Sequence, residues 1–288
     1  MDKKVDLHIH TYNSDGKYSP QEIITMAKEQ ELDVIAITDH DSARGIRNLK
    51  ENSAGKLFVV PGVEISTKID EFNELHILGL GINPNNSGII QLEDRVRSIQ
   101  ILKANIFNNI LYDNGLSHLA IEVKDLITDH HGLQNLNFFQ ILSNNNIPAS
   151  TFFEIKQKYS NAVNFIESID TEAGETLSII HEAGGFALFA HPYAHKATNS
   201  EVYSMIASLR KNNLDGIEVY HRANNTERQI LLSTFCNLNN LLISGGSDFH
   251  ADATFPHQTR PLNAAYKINP ISSPISEEIL EHDNGFYI

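Results

Sequence analysis

The 288-residue chain lacks several features that define common classes of protein. It has one cysteine, Cys236, which excludes an intramolecular disulfide, and no apolar run approaches the 18 residues of a membrane-spanning helix. Basic residues are scarce as well, since 22 Lys and Arg stand against 36 Asp and Glu, a formal net charge of −14. This balance argues against duplex DNA and anionic membranes as partners, because both are bound through a basic face.

A secretory signal is also missing from the opening residues "MDKKVDL", which contain no apolar segment, and we therefore expect a cytoplasmic protein. The composition is otherwise ordinary, with 41% hydrophobic residues, which is enough for a sizeable core. A phosphorylated substrate is compatible with the negative net charge if cations in the site offset it.

Histidine is abundant, with 14 residues, and many of them lie at the ends of short apolar runs. These runs are rich in β-branched residues and alternate in several places with helix-like segments, which favours a parallel sheet with helical crossovers. We predict strands over residues 5–10, 33–41, 57–66, 75–82, 185–192, 216–220 and 241–250.

The region from about 85 to 170 has a different character. A long helical pattern, "QLEDRVRSIQILKANIFNNILYDNG", is followed by shorter helical stretches that are rich in Asn and poor in strand-like runs. We therefore predict a helical insertion over 85–170, with residues 1–84 and 171–288 forming one α/β domain around it.

Ionisable side chains recur in the predicted strands. In "VDLHIH", apolar residues alternate with Asp6, His8 and His10, so one face of this strand is ionisable and meets either water or a metal. Other strands add similar groups, mostly at their ends: Asp39, His40, Glu64, His76, His191, Asp248 and His250. Parallel strands in a barrel bring their carboxyl ends to one rim. Gathering these groups there is costly unless divalent cations compensate, and neutral imidazoles and carboxylates are suitable ligands.

Each of these signals has an ordinary alternative when taken alone. "HIH" is a weak metal signal, "TDHD" fits a turn with local hydrogen bonds, "SDFH" fits a capped helix start, and Glu64 fits a solvated side chain. Together, the alternatives require histidines and acids at nearly every predicted strand end by coincidence. A shared metal site is the stronger interpretation.

Seven segments, in order, carry a family resemblance: "DLHIHTYNSDG", "AITDHD", "VPGVEIS", "LHILGLGI", "FALFAHP", "GIEV" and "GSDFH". They resemble the polymerase-and-histidinol-phosphatase (PHP) family of metal-dependent phosphoesterases, and within it the branch of nucleoside 3′,5′-bisphosphate phosphatases and 5′-to-3′ exoribonucleases. The resemblance implies an α/β fold, a distorted (β/α)7 TIM-like barrel with an inserted helical subdomain. It also implies two to three divalent metal ions, with Mn, Zn or Fe expected for mixed imidazole and carboxylate ligands.

The same resemblance implies the metal ligands, motif by motif. A first metal would be held by His8, His10, Glu64 and Asp248, a second by Glu64, His76 and His191, and a third by Asp15, His40 and His250. Asp39 would lie behind these ligands and orient one of the histidines.

One segment departs from the family pattern. Related phosphatases carry an Arg-x-His-containing segment in the insertion that contacts substrate phosphate, whereas "LITDHHGLQNLNFFQILSNNNIP" contains no arginine. The bidentate phosphate clamp of a guanidinium is therefore missing from that position. Candidate substrate-binding residues in its place are His131 in this segment, His221 and Arg222 after the sixth predicted strand, and His257.

The resemblance implies a hydrolase that cleaves phosphate monoesters or diesters with a metal-activated hydroxide. The expected partners are a small phosphorylated substrate such as a nucleotide, or the 5′ end of a short RNA. Glu64, Asp248 and His195 are the expected catalytic residues, and either His195 or a metal-bound water is expected to protonate the leaving oxygen.

Two alternatives stay open. One is an amidohydrolase-type metallohydrolase, against which the absence of lysine from the strand-end motifs counts. The other is a non-catalytic, metal-dependent nucleotide-binding module, against which the absence of cysteine ligands counts. The sequence makes no prediction of the oligomeric state.

Overall fold

The computed structural model describes residues 3–49, 51, 55–121, 142, 145–168, 171–194, 197–250 and 276–288. The strands are β1 (Val5–Ile9), β2 (Val34–Ile37), β3 (Phe58–Ile69), β4 (Phe72–Leu80), β5 (Thr171–Glu172), β6 (Phe186–Phe189), β7 (Gly216–Tyr220), β8 (Leu242–Gly245) and β9 (Phe286–Tyr287).

The α-helices within the described ranges are α1 (Pro20–Glu29), α2 (Arg44–Arg47), α3 (Ser87–Asp113), α4 (Ala149–Lys158), α5 (Ser160–Ser168), α6 (Ala173–Glu182), α7 (Asn199–Lys211), α8 (Thr226–Asn239) and α9 (Glu277–Leu280). A short 3-10 helix covers Ser117–Leu119. None of the described helices is long and apolar enough to span a membrane.

The strands form one mixed sheet in the order β1-β2-β3-β4-β6-β7-β8, with β5 and β9 added alongside β3. This sheet is strongly curled into a half-barrel, which is the distorted α/β barrel that the sequence predicts. Strands β1, β2 and β3 pair in parallel, as do β6, β7 and β8. Each predicted strand is present, although several begin or end a few residues inside the predicted bounds.

Strand β4 departs from the expected parallel arrangement, because it pairs antiparallel with both β3 and β6. Only Asp70 and Glu71 connect β3 to β4, and a two-residue connection can join antiparallel strands but cannot cross over between parallel ones. His76 consequently lies opposite Ser66 in the middle of a hairpin, rather than at the carboxyl end of a parallel strand.

The two ends of the sheet approach each other through the chain that follows β8. Phe249 forms a parallel bridge with Ile9, and its carbonyl oxygen accepts a hydrogen bond from the His10 backbone N–H at 2.9 Å. Gly246 permits this approach, because a Cβ atom there would lie 2.3 Å from the Cβ of His8. The return segment thus brings Asp248 and His250 next to the histidines of β1.

Amphipathic helices cover the outside of the sheet. The predicted capping box at Ser19 is present, since the Ser19 hydroxyl accepts from the Glu22 backbone N–H and the Glu22 carboxylate accepts from the Ser19 N–H. The helix that follows buries Ile23 and Ile24 against the strands. The helices cover the outer face of the sheet in this way, and the ionisable side chains lie on its inner, concave face.

The helices that follow β4 have an apolar cluster of their own, to which Phe107, Ile110, Leu142 and Ile155 contribute. This agrees with a helical character for the region after residue 85, and the domain bounds 1–84, 85–170 and 171–288 stay a prediction.

A buried ion pair joins α3 to the segment after β2. The Arg47 guanidinium forms two 2.8 Å contacts with the Glu93 carboxylate, and its Nε donates to the Pro84 carbonyl. Glu93 also accepts the Ala43 backbone N–H at 2.6 Å. This pair therefore fixes the start of α3 beside the loop that carries His40.

We expect Arg47→Ala to lower the free energy of unfolding by about 3 kcal/mol, because removing one partner strands a buried charge. The two side chains are only 19% and 5% exposed. Urea denaturation measures the loss. The control is Lys4→Ala, which breaks an ion pair whose side chains are 47% and 84% exposed, and which should cost under about 1 kcal/mol. Equal losses in the two variants would contradict this account.

Candidate metal centre

The carboxylate of Glu64 lies at the centre of the ionisable interior, fully buried on β3. Its Oε2 is 3.1 Å from the Nε2 atoms of both His8 and His10, and 3.3 Å from His40 Nδ1. Its Oε1 is 2.9 Å from His76 Nδ1 and 2.7 Å from His191 Nε2. Five imidazoles from separate parts of the chain therefore converge on one carboxylate.

Around Glu64, the predicted ligands fall into overlapping groups. In the first group, Asp248 joins His8, His10 and Glu64. Its Oδ1 is 3.3 Å from His10 Nε2 and 3.7 Å from His8 Nε2. In the second group, His76 Nδ1 and His191 Nε2 lie 3.3 Å apart and both face Glu64 Oε1. Sets of nearby donor atoms that could hold an ion are His8, His10, Glu64 and Asp248, and also His40, Glu64 and His76.

The third group is built around Asp15, on the loop after β1. Its Oδ1 is 3.1 Å from His250 Nε2 and 3.5 Å from His10 Nδ1, and its Oδ2 is 3.9 Å from His40 Nε2. These four residues form another set whose donor atoms lie close enough to share an ion. His40 faces Glu64 with one ring nitrogen and Asp15 with the other, so it stands between two groups.

The groups perturb one another strongly. Burial alone would raise the pKa of Glu64, but His40, His8 and the other histidines hold it well below its usual range. Burial alone would lower the pKa of His10, but the neighbouring carboxylates of Asp248, Glu64 and Asp15 raise it to about 10. His40 is dominated by its burial, which lowers its pKa to about 3. Protons and ring lone pairs are thus divided unequally among the histidines.

The hydrogen bonding of the cluster is incomplete in a way that fits divalent metal ions. Glu64 Oε2 and His40 Nδ1 are buried and have no hydrogen-bond partner among the described residues, although they lie 3.3 Å apart. The Nε2 atoms of His8 and His10 face each other at 3.1 Å. Nitrogen and oxygen lone pairs that converge without enough protons between them are the donor set of a mixed imidazole–carboxylate metal site.

Three residues at the site have left-handed backbone conformations, with φ of 53° at Asp41, 26° at His191 and 54° at Asp248. Non-glycine residues rarely adopt such values, and each costs roughly 1–3 kcal/mol unless the surroundings enforce it. Asp41 is held by the Ser66 backbone N–H at 2.9 Å. At the site, this strain lies in the segments that turn ligands inward from the strand ends.

Asp39 is buried, and among the described residues its hydrogen bonds go to the loop after β1 and not to a histidine ring. Its carboxylate accepts from the backbone N–H of Thr11 at 2.6 Å and from the Ser14 hydroxyl at 2.8 Å. The Ser14 hydroxyl in turn lies 3.5 Å from His10 Nδ1. Asp39 therefore shapes the loop that delivers Asp15, and it reaches His10 only through Ser14.

The two residues after β7 that the sequence proposed as substrate contacts both face Asp248. Arg222 Nη2 is 2.8 Å from Asp248 Oδ2, and its side chain is 27% exposed at the rim. His221 is buried, with Nε2 3.5 Å from the same oxygen and with Nδ1 accepting the Ala223 backbone N–H. The position of Arg222 favours contact with substrate, whereas that of His221 favours contact with Asp248.

Two buried carboxylates at the site were not assigned a role from the sequence. Glu218 on β7 accepts from His8 Nδ1 at 2.9 Å and from the His191 backbone N–H at 2.8 Å. Asp6 on β1 accepts from the Ser247 backbone N–H at 2.9 Å, next to Asp248, and burial raises its pKa to about 7. For Glu218 the available signal was an acidic residue in the middle of an otherwise apolar strand, and for Asp6 it was a place on the ionisable face of β1.

Three proposed residues, His131, His195 and His257, lie outside the described residues.

Comparisons with known proteins agree with this geometry. A family model described as PHP domain matches residues 6–242. A 5′-3′ exoribonuclease from Haemophilus influenzae is 28% identical over 256 residues, which cover 87% of this chain and 91% of the relative. A 3′,5′-nucleoside bisphosphate phosphatase from Chromobacterium violaceum is 23% identical, over 96% of each chain.

A solved structure shares the fold over nearly its whole length. It is described as an amidohydrolase from Chromobacterium violaceum with bound sulfate and no metal, and it superposes with a TM-score of 0.73 at 22% identity. The alignment covers 99% of this chain and 98% of that structure.

The chain belongs to the PHP domain family, and it is a metal-dependent phosphoesterase of that family. The family match ends before Asp248 and His250, and it is the return of the chain beside β1 that brings these two residues to the site.

We expect added Mn²⁺ to raise the melting temperature more at pH 8 than at pH 6. In the metal-free protein His10, with a pKa of about 10, is stabilised as the cation. That contribution is complete below the unfolded pKa of about 6.5 and is lost as the pH rises through about 10. A metal must displace the proton, so its apparent affinity rises roughly tenfold per pH unit for each proton released.

The measurement is a thermal melt of EDTA-treated protein with and without Mn²⁺ across this pH range. The metal-free protein alone should become less stable toward alkaline pH. A Mn²⁺-induced shift that is equal at both pH values, or larger at pH 6, would contradict the proton competition.

Proposed function

We propose that the protein hydrolyses phosphate monoesters or diesters of nucleotides or of RNA 5′ ends, with two to three divalent ions of Mn, Zn or Fe. The observation that carries this proposal is the buried Glu64 carboxylate, with five histidine nitrogens within 3.3 Å of its oxygens. Asp15 and Asp248 flank Glu64, and their side chains are partly exposed to solvent.

Under this proposal the ligands are those grouped above: His8, His10, Glu64 and Asp248; Glu64, His76 and His191; and Asp15, His40 and His250. Bound there, divalent ions neutralise phosphate oxygens and lower the pKa of a water molecule so that it is a nucleophile near neutral pH. Glu64 and Asp248 are then catalytic residues through direct contact with the metals.

The protein's own residues supply the orientation. Glu64 fixes the direction of five rings at once, and the hydrogen bonds of Asp39 hold the loop that presents Asp15. Arg222, partly exposed beside Asp248, is in position to donate to a phosphate oxygen and so replaces the arginine missing from the insertion. His195 is the proposed proton donor to the leaving oxygen.

Nucleotides and RNA ends are proposed as substrates because the two relatives above carry those activities in their names. The net charge of −14 is consistent with short substrates, since a long polyanion would be repelled outside the metal site.

The test is a hydrolysis screen with added Mn²⁺. It contains a nucleoside 3′,5′-bisphosphate, histidinol phosphate, a short 5′-phosphorylated RNA and a panel of cyclic amides. We expect phosphate release or RNA shortening, and we expect Glu64→Gln and Asp248→Asn to abolish it in folded protein. Cleavage of the amides alone would favour an amidohydrolase, and most of the activity surviving in both metal-loaded variants would refute the proposed site.

We expect Arg222→Ala to raise KM for the best phosphate substrate about 10- to 100-fold, because a hydrogen bond to a charged group is lost. Arg222→Lys should recover part of the loss, since it keeps the charge without the planar fork. Metal content is measured in parallel. An unchanged KM, or loss of metal without a change in KM, would show that Arg222 supports Asp248 instead of binding substrate.

A further inference from the structure

A second buried carboxylate, Glu218, lies behind the cluster and touches it on two sides. It is in the middle of β7 and fully buried, between Ile217 and Val219, which are part of the core on the other face of the sheet. A buried carboxylate without strong partners would be destabilising, so its partners indicate why it is there.

Each oxygen of Glu218 accepts from a different metal-ligand residue. Oε1 is 2.9 Å from His8 Nδ1, and Oε2 is 2.8 Å from the backbone N–H of His191. Because a carboxylate can only accept a hydrogen bond, the His8 proton must be on Nδ1. The lone pair of Nε2, which faces Glu64 and His10, is then free to bind a metal. The tautomer of His8 is thus fixed by Glu218.

The second contact acts on a backbone instead of a ring. His191 has a φ of 26°, and this conformation turns its side chain so that Nε2 lies 2.7 Å from Glu64 Oε1. The bond from its N–H to Glu218 is one of the interactions that hold the chain in this strained form. The rings of His8 and His191 stack at 5.6 Å between centroids, so the two contacts support neighbouring ligands.

We infer that Glu218 is a positioning residue that sets the tautomer of His8 and the backbone of His191, and thereby couples two metal sites through one carboxylate. This inference rests on the proposed function, because it takes His8 and His191 as metal ligands. It extends that proposal to a residue outside the ligand sets, on a strand that contributes none of the ligands.

Glu218→Gln separates the two contacts. A glutamine amide has one accepting oxygen and one donating NH₂ group, so it can accept from only one of the two donors. If the oxygen faces His8, the NH₂ group meets the His191 N–H and neither is satisfied. If the oxygen faces His191, the NH₂ group donates to His8 Nδ1 and moves the ring proton to Nε2, where it blocks the metal.

The chain offers a matched control in Asp215. Its Oδ2 also accepts from a histidine ring and a backbone N–H, those of His181 and Ala187, both at 2.7 Å. It precedes β7 at the opposite end from the cluster, and His181 is not among the candidate ligands. Asp215→Asn therefore makes the same carboxylate-to-amide change beside a histidine without touching the metal centre, and its one amide oxygen can still accept from both donors.

The experiment titrates metal-free wild type, Glu218→Gln and Asp215→Asn with Co²⁺ and follows the visible absorption spectrum. We expect Glu218→Gln to bind about 10- to 100-fold more weakly, with an altered spectrum, and Asp215→Asn to match wild type. Wild-type affinity and spectrum in folded Glu218→Gln would overturn the inference. Absence of Co²⁺ binding to wild type would instead refute the metal site of the proposed function.

Wild-type protein gives a second test that does not depend on a variant that folds. Long-range ¹H–¹⁵N correlation spectra of the Zn²⁺-loaded protein report which ring nitrogen of His8 carries the proton. We expect the proton on Nδ1. A proton on Nε2, or a metal on Nδ1, would overturn the inference even if Glu218→Gln failed to fold.

Discussion

One buried carboxylate, Glu64, is the constraint on which the rest of the site depends. Its two oxygens face five imidazole nitrogens, three at one oxygen and two at the other. This is possible because β3 extends past its pairing with β2, which ends at Pro61, and continues as one arm of a hairpin with β4, so Glu64 faces β1, β4 and the end of β6 together. A charge buried at this depth is tolerated only if opposite charge surrounds it, which in this protein means protonated histidines or metal ions.

The surrounding structure serves to hold ligands that the strands alone would not deliver. Asp39, Asp6 and Glu218 each use backbone N–H groups to fix segments next to ligands: the loop before Asp15, the residue before Asp248, and His191 itself. Glycine allows the two closest approaches to β1, since a Cβ at Gly16 would lie 2.5 Å from the His10 carbonyl and one at Gly246 would meet His8. The left-handed backbone conformations of Asp41, His191 and Asp248 are tolerated only because these surrounding contacts hold them.

Much of the fold, and several of the residues that converge on Glu64, could be predicted from the sequence, because both depend on local signals. The period-two pattern of "VDLHIH" and the β-branched runs locate the strands, and strand ends locate His40, Glu64 and His191. Partners across the barrel are not local. The pairing of Glu218 with His8, 210 residues away, depends on closure of the sheet, and a glutamate within "GIEVY" does not indicate which residue it contacts. The antiparallel course of β4 was missed because the predicted strands end at residue 66 and begin again at 75, whereas the observed strands are separated by only two residues, which excludes a crossover.

The central claim is that Glu64 and the histidines around it would hold divalent metals, and anomalous X-ray diffraction tests it most directly. Crystals soaked in Zn²⁺ would be measured on both sides of the zinc absorption edge. The account predicts anomalous peaks beside both oxygens of Glu64, at about 2.0–2.1 Å from histidine nitrogens such as His8 Nε2 and His191 Nε2. Density without any anomalous peak at Glu64, with its oxygens hydrogen-bonded to protonated imidazoles, would contradict it.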